Sequence, residues 1–218
     1  MKDCTSEQRR PKIRVAIIGA GIGGLSLSAA LGALSNEDKL EINIYESASV
    51  IAEVGTGISL WPRTWEVVKA INLEKSLLQF VSQPPDKSPH VVFQMRKGDQ
   101  KEGIFVHNIL MEGRVVSFHR ADLQQTLLNH VCGSLHLNHR FSSFEELDDE
   151  VNIRFDNGTT AKCDILIGMD GIKSTLRKSV LQQNIPSSES VNLVWSGTMV
   201  YRGLVGHLIM SPPWIKTR

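Results

Sequence analysis

Apolar and polar positions divide the chain into short blocks whose period changes several times. Ile13–Ile18 is a β-branched run broken only by Arg14 and Ala16, the pattern of a strand buried on both faces. Glycines follow at once, and then Ile22–Leu34, rich in Leu, Ala and Ser, reads as a helix. In Glu41–Glu46, Ile42 and Ile44 alternate with polar neighbours, which predicts a second strand. Strand, glycine turn, helix and strand make a βαβ unit, whose right-handed crossover builds a parallel sheet.

Further along, the pattern predicts a helix over Thr64–Ala70 and a second turn set near Leu73–Val81. Ser82–Pro89 holds three prolines and reads as a loop. Val91–Met95 and Gly113–Phe118 are expected to be strands, with the stretch between them unassigned. Leu123, Leu127, Leu128 and Val131 fall on one face of a helix over Asp122–Val131. The acidic segment Glu145–Glu150 reads as a turn. Val151–Phe155 and Thr159–Cys163 flank Asp156-Asn157-Gly158, a hairpin signal because Asn and Gly tolerate the positive φ of a type I′ turn. Ile165–Gly168 is a further buried strand. Ser174–Val180 reads as a short helix with Ser174 as its N-cap.

Composition narrows the possibilities. Hydrophobic residues make up 41% of 218, enough for a sizeable core and too many for a disordered chain. The formal net charge of +1 gives no field suited to nucleic acid or an anionic membrane. Cys4, Cys132 and Cys163 are odd in number and far apart, so free structural thiols in a reducing compartment are expected. Met1–Lys12 is a polar tail, and the first apolar run is too short for a signal peptide. No stretch reaches the roughly 18–20 apolar residues of a membrane span. A cytoplasmic protein is the expectation.

Chemistry enters at Gly19-Ala20-Gly21-Ile22-Gly23-Gly24, which fits G-x-G-x-x-G between a strand and a helix. Gly19 permits the tight turn, Gly21 leaves room for a pyrophosphate, and Gly24 lets the helix pack close to the strand. The helix N-terminus offers free N–H groups to a phosphate. Glu46 ends the second strand 22 residues after Gly24, near the expected spacing of about 20. Its carboxylate can take both hydroxyls of an adenosine ribose and would repel a 2′-phosphate. The plainer alternative is a solvated strand-end carboxylate. The spacing of the seven histidines suggests no metal site, and no G-x-S-x-G nucleophile signature is present.

Four segments carry a resemblance. They are the βαβ unit ending in Tyr45-Glu46; Glu53-Val54-Gly55-Thr56-Gly57-Ile58; His119-Arg120-Ala121-Asp122-Leu123; and Cys163 to Arg177, which contains Met169-Asp170-Gly171. In this order and spacing, from about Ile13 to Gly203, they resemble the FAD-dependent aromatic hydroxylases, the family of salicylate and para-hydroxybenzoate hydroxylases. Met169 stands where the family usually has alanine. The resemblance implies an α/β fold, with a Rossmann-like FAD-binding domain interleaved with a mostly antiparallel substrate-side sheet. It implies a monooxygenase that uses NAD(P)H and O₂ to insert one oxygen atom into an aromatic acid, a phenol or a related metabolite. It places Gly57 beside the flavin, Arg120 on the pyrophosphate and Asp170 among the groups that hold FAD. Tyr201-Arg202-Gly203 is similar to the family's Y-R-G segment, so Tyr201 and Arg202 are candidate catalytic residues and Arg202 could orient an anionic substrate. Each has a structural alternative: Arg120 pairing with Asp122, Asp170 bonding turn N–H groups, Arg202 as a sheet-face side chain.

The family's third flavin motif, G-D-A-A-H-like, is not found before Arg218. The expected layout is a tail over 1–12, the FAD-binding domain over 13–205 with part of the substrate sheet, and an irregular tail over 206–218. A C-terminally truncated hydroxylase without turnover of its own is the expectation. A non-catalytic fragment and an NAD-dependent dehydrogenase built on the same βαβ unit are the rival readings.

Overall fold

The computed structural model describes residues 12–35, 39–51, 57–99, 102–184 and 193–199. Its centre is a parallel sheet of four strands, β1 (Ile13–Ile18), β2 (Leu40–Tyr45), β7 (Ser134–His136) and β11 (Ile165–Gly168), in the order β11-β1-β2-β7. α1 (Ile22–Leu34) makes the crossover from β1 to β2. Val15–Ile18 of β1 are buried from both sides, as a near-continuous apolar run requires. Val15 and Ile17 face the helical side and pack with Leu25, Ile42 and Ile44. Ala16 and Ile18 face the other way, toward Tyr45, Phe141, Phe155 and Leu176.

Two different layers cover the sheet. On the first face, α1 and α4 (Arg120–Leu128) share a core with α2 (Pro62–Ala70) and α3 (Glu74–Leu78), where Trp65, Leu73, Leu77, Leu123 and Leu127 are buried. The second face carries an antiparallel sheet of β8 (Phe141–Glu146), β9 (Val151–Phe155) and β10 (Thr160–Cys163). Arg14 staples this layer to β1. Its guanidinium bonds Asp164 at 2.6 Å and Glu150 at 3.3 Å, and Glu150 also pairs with Lys162. Two antiparallel ribbons complete the described structure, β3 (Gly57–Leu60) with β6 (Val116–His119) and β4 (Pro89–Lys97) with β5 (Ile104–Glu112). The fold is the α/β class read from the sequence, with parallel and antiparallel parts interleaved along the chain.

Several boundaries differ from the pattern reading. The helix expected from Thr64 begins at Pro62, because proline suits the first helical position, where no N–H partner is needed. The helix expected from Asp122 begins at Arg120 and ends at Leu128. The strand expected over Gly113–Phe118 starts only at Val116, and the unassigned stretch before it is β5. Glu145 and Glu146 belong to β8, and the turn is confined to the residues after them, closed by Leu147 N–H donating to the Glu150 carbonyl at 2.9 Å. The hairpin at Asn157-Gly158 is present but its turn is not type I′. Only Gly158 has a positive φ, +83°, and its N–H closes the turn on the Phe155 carbonyl at 3.0 Å. Asn157 instead accepts hydrogen bonds from the Thr159 N–H and hydroxyl through its side-chain oxygen. Ser174 caps α5 (Thr175–Asn184) as expected, accepting the Arg177 N–H at 2.9 Å.

Candidate cofactor site

β11, β1 and β2 end side by side, and the glycine turn lies there. Gly19 has φ of +104°, and its N–H donates to the Tyr45 carbonyl at 2.8 Å, tying the turn to β2. A Cβ on Gly19 would sit 2.5 Å from the Met169 carbonyl oxygen, so the end of β11 presses directly on the turn. A Cβ on Gly24 would lie 1.9 Å from the Gly19 carbonyl oxygen, which explains why the helix and the turn can be this close only with glycine. Gly21 is the opposite case. Its φ is an ordinary −68°, and no protein atom lies within 4 Å of where its Cβ would be. Nothing in the described protein requires a glycine there. α1 has no side-chain cap and no acidic residue in its first turn, so its first N–H groups have no side-chain partner.

Glu46 faces the same turn. Its Oε2 accepts the Ala20 N–H at 2.8 Å, and its Oε1 accepts the Ala48 N–H at 2.9 Å and the Ser47 hydroxyl at 3.0 Å. Partial burial pushes its acidity toward the neutral form, but these donors outweigh it and hold the carboxyl below the usual glutamate range. Glu46 is therefore a fixed anion, not a mobile solvated one. Asp170 lies across the opening, where Oδ2 accepts the N–H groups of Thr175 at 2.8 Å and Leu176 at 3.2 Å. This is the turn role foreseen as its structural alternative.

Gly19, Gly21, Glu46 and Asp170 line one cavity of about 340 Å³. Gly24 acts behind it, in packing. Gly57 and Arg120 lie apart from it but near each other: Gly57 pairs with His119 at the end of the β3–β6 ribbon, and Arg120 follows as the first residue of α4. Tyr201 and Arg202 lie outside the described residues, as do residues 52–56 of the second family-like segment. The cavity also includes His139, Arg140 and Lys173, to which the sequence reading gave no role. Lys173 could have been noticed inside the Asp170-Gly171 segment. His139 and Arg140 gave no signal, because they follow β7, a strand of three residues. The buried thiol of Cys163 is pushed up to about 11 by burial and by Asp164, which keeps it an unreactive core residue.

Comparisons with known proteins show the family. Residues 12–205 match the model of the FAD binding domain. The chain belongs to the FAD-binding domain family. It is 32% identical to a salicylate hydroxylase of Pseudomonas putida over 201 residues, covering 92% of this chain and 45% of that protein. It is 34% identical to the 6-methylsalicylate 1-monooxygenase of Aspergillus terreus over 206 residues, covering 89% of this chain and 44% of that one. Among solved structures, the tetracycline destructase Tet(51) superposes with a TM-score of 0.59 at 23% identity, covering 80% of this chain and 43% of its own. A Klebsiella pneumoniae HpxO variant complexed with FAD gives 0.56 at 25% identity, covering 76% and 41%. The chain thus spans a little under half the length of the curated relatives it matches. No described helix is long and apolar enough to cross a membrane.

Proposed function

We propose that this member of the FAD-binding domain family carries the ADP-binding part of a flavin-dependent monooxygenase. The observation that carries the reading is the open cradle at Gly21, set at the bare N-terminus of α1 and beside the fixed Glu46 carboxylate. Such a cavity suits a pyrophosphate next to an adenosine ribose. Gly19 and Gly24 shape the turn, Gly21 gives the phosphates access, and Glu46 takes the ribose hydroxyls. Arg120, at the start of α4 beside Gly57 and apart from this cavity, is assigned to the flavin side of the pyrophosphate, where guanidinium geometry favours two N–H bonds. Asp170 helps hold the same cofactor while capping α5, and Gly57 lies beside the flavin.

When bound, FAD supplies the redox chemistry, passing electrons from NAD(P)H to O₂ so that one oxygen atom enters the substrate. The protein's share is position and charge. Tyr201 and Arg202 are assigned to the substrate, with the Arg202 cation orienting an anionic group. The substrate class is an aromatic acid, a phenol or a related metabolite, the chemistry named by relatives such as salicylate hydroxylase and 6-methylsalicylate 1-monooxygenase. A NAD-dependent dehydrogenase would use the same βαβ unit, but its family is not the one this chain matches. The test is to purify the chain, remove small molecules by gel filtration and titrate FAD. Uptake that Gly21→Val abolishes supports the reading. A chain that takes up no flavin but binds NADH contradicts it.

A further inference from the structure

The cavity that the proposed function assigns to the ADP part of FAD is lined from two unlike chain segments, and the inference here rests on that assignment. One holds Asp170, Gly171 and Lys173, at the approach to α5. The other holds His139 and Arg140, where the chain returns from β7 toward β8, beside Glu46 and Ser47. That return is firmly fixed. The His139 N–H donates to the Glu46 carbonyl at 2.8 Å, and the Asn138 N–H to the Ala48 carbonyl at 3.0 Å. The Asn157 side-chain amide donates to the Asn138 carbonyl at 2.8 Å. Residues 138–140 are therefore anchored on the strand end that presents Glu46.

The two side chains of this return have groups to spare. His139 Nδ1 lies 2.6 Å from the Leu137 carbonyl oxygen. A carbonyl only accepts, so Nδ1 carries the proton and, in the neutral ring, Nε2 is an acceptor. Nε2 has no hydrogen-bond partner among the described residues. The ring cannot easily turn away. It stands edge-on to Phe155, with centroids 5.0 Å apart and planes at 84°, and tilts against Tyr45 at 5.7 Å. Arg140 likewise has no side-chain hydrogen bond or ion pair among the described residues, whereas Arg14, Arg114 and Arg154 are each paired with a carboxylate.

We propose that His139 and Arg140 form the base-recognising part of this cavity, His139 accepting the exocyclic amine of adenine and Arg140 laying its planar cation against the base. The ribose at Glu46 places the base nearby, since base and ribose are directly bonded. An acceptor facing the six-position favours adenine, which presents an amine there, over guanine, which presents a carbonyl. A guanidinium over the ring is indifferent to that difference, because stacking and cation–π attraction need only a π-face.

The two roles separate in a nucleotide titration of the whole chain with ADP and GDP, run on wild type, His139→Ala, His139→Gln and Arg140→Ala. Wild type is expected to prefer ADP by roughly tenfold, the scale of one hydrogen bond with its misfit penalty. His139→Ala brings the ADP-to-GDP ratio close to one. His139→Gln, whose side-chain oxygen can still accept, keeps part of the preference, and it remains informative should the alanine variant melt early. Arg140→Ala weakens ADP and GDP alike by about tenfold and leaves their ratio unchanged. The proposal is overturned if ADP binds wild type while both His139 variants keep the full preference and Arg140→Ala keeps the affinity. A wild-type chain that binds no ADP contradicts the cavity assignment itself, and this proposal with it.

Discussion

Glu46 reaches from the end of β2 to the glycine turn, where its Oε2 accepts the Ala20 N–H at 2.8 Å. The same carboxylate thus holds the turn and faces the cavity that the turn shapes. Its hydrogen bonds from the Ala48 N–H and the Ser47 hydroxyl to Oε1 set the charge in place before any ligand arrives.

Glu46→Ala is therefore expected to weaken FAD binding by about 1.5–3 kcal/mol, tenfold or more in affinity, through loss of charge-assisted bonds to the ribose. Flavin titration by fluorescence quenching measures it. Equal affinities for variant and wild type would remove Glu46 from the ribose.

Acid should act on the same residue. The folded carboxyl titrates below its ordinary value of 4.5, held there by the Ala20, Ala48 and Ser47 donors against the opposing effect of burial. A depressed carboxyl contributes stability that is present above the unfolded value and lost as pH falls through the folded one. Wild type should lose stability as pH drops below about 4.5, and Glu46→Gln should lose less over that interval. Thermal melts from pH 6 to 3 compare the two, and parallel curves would show that Glu46 has no part in the acid transition.

Two glycines three positions apart should respond in opposite ways. Gly24→Ala drives a Cβ to within 1.9 Å of the Gly19 carbonyl oxygen, backbone against backbone, so the helix must shift. A cost of about 1–3 kcal/mol or more is expected, seen as a lowered urea midpoint. Gly21→Val has open space and an ordinary φ, so its midpoint should stay near wild type while FAD binding is lost. A Gly21→Val chain that keeps its flavin would refute the cradle.

Asp170 is expected to matter for stability as well as for the cofactor. Asp170→Ala leaves the Thr175 and Leu176 N–H groups without their acceptor, a cap loss of about 0.5–2 kcal/mol. Urea unfolding in the absence of FAD isolates this effect from binding. No change in midpoint would mean that Ser174 alone suffices to cap α5.

The parts of this fold that could be read from the sequence are those where local pattern and burial coincide. β1 is enclosed on both faces over Val15–Ile18 and shows a near-continuous apolar run. Gly19 and Gly24 each meet a different steric demand, and the motif records both. The ribbons were harder to read. β4 and β5 expose Val91, Phe93, Met95, Phe105 and Leu110, so apolar residues do not mark a buried face there. β7 has three residues, too few for any period, and it is defined by parallel pairing with β2 far away in sequence. His139 and Arg140 reach the cavity only because of that pairing, which is why no motif announced them. At Asn157-Gly158 the hairpin was legible but not its turn type, since Asn157 spends its side chain on Thr159 instead of adopting a positive φ.

The most direct test of the central claim is a competition titration of the 218-residue chain with FAD, ADP and FMN. The cavity around Gly21 and Glu46 is assigned to the ADP part of the cofactor, so ADP should displace FAD from a single site while FMN, which lacks the adenosine, should not. Gly21→Val should abolish binding of both FAD and ADP. Displacement of FAD by FMN but not by ADP, or undiminished ADP binding to Gly21→Val, would contradict it.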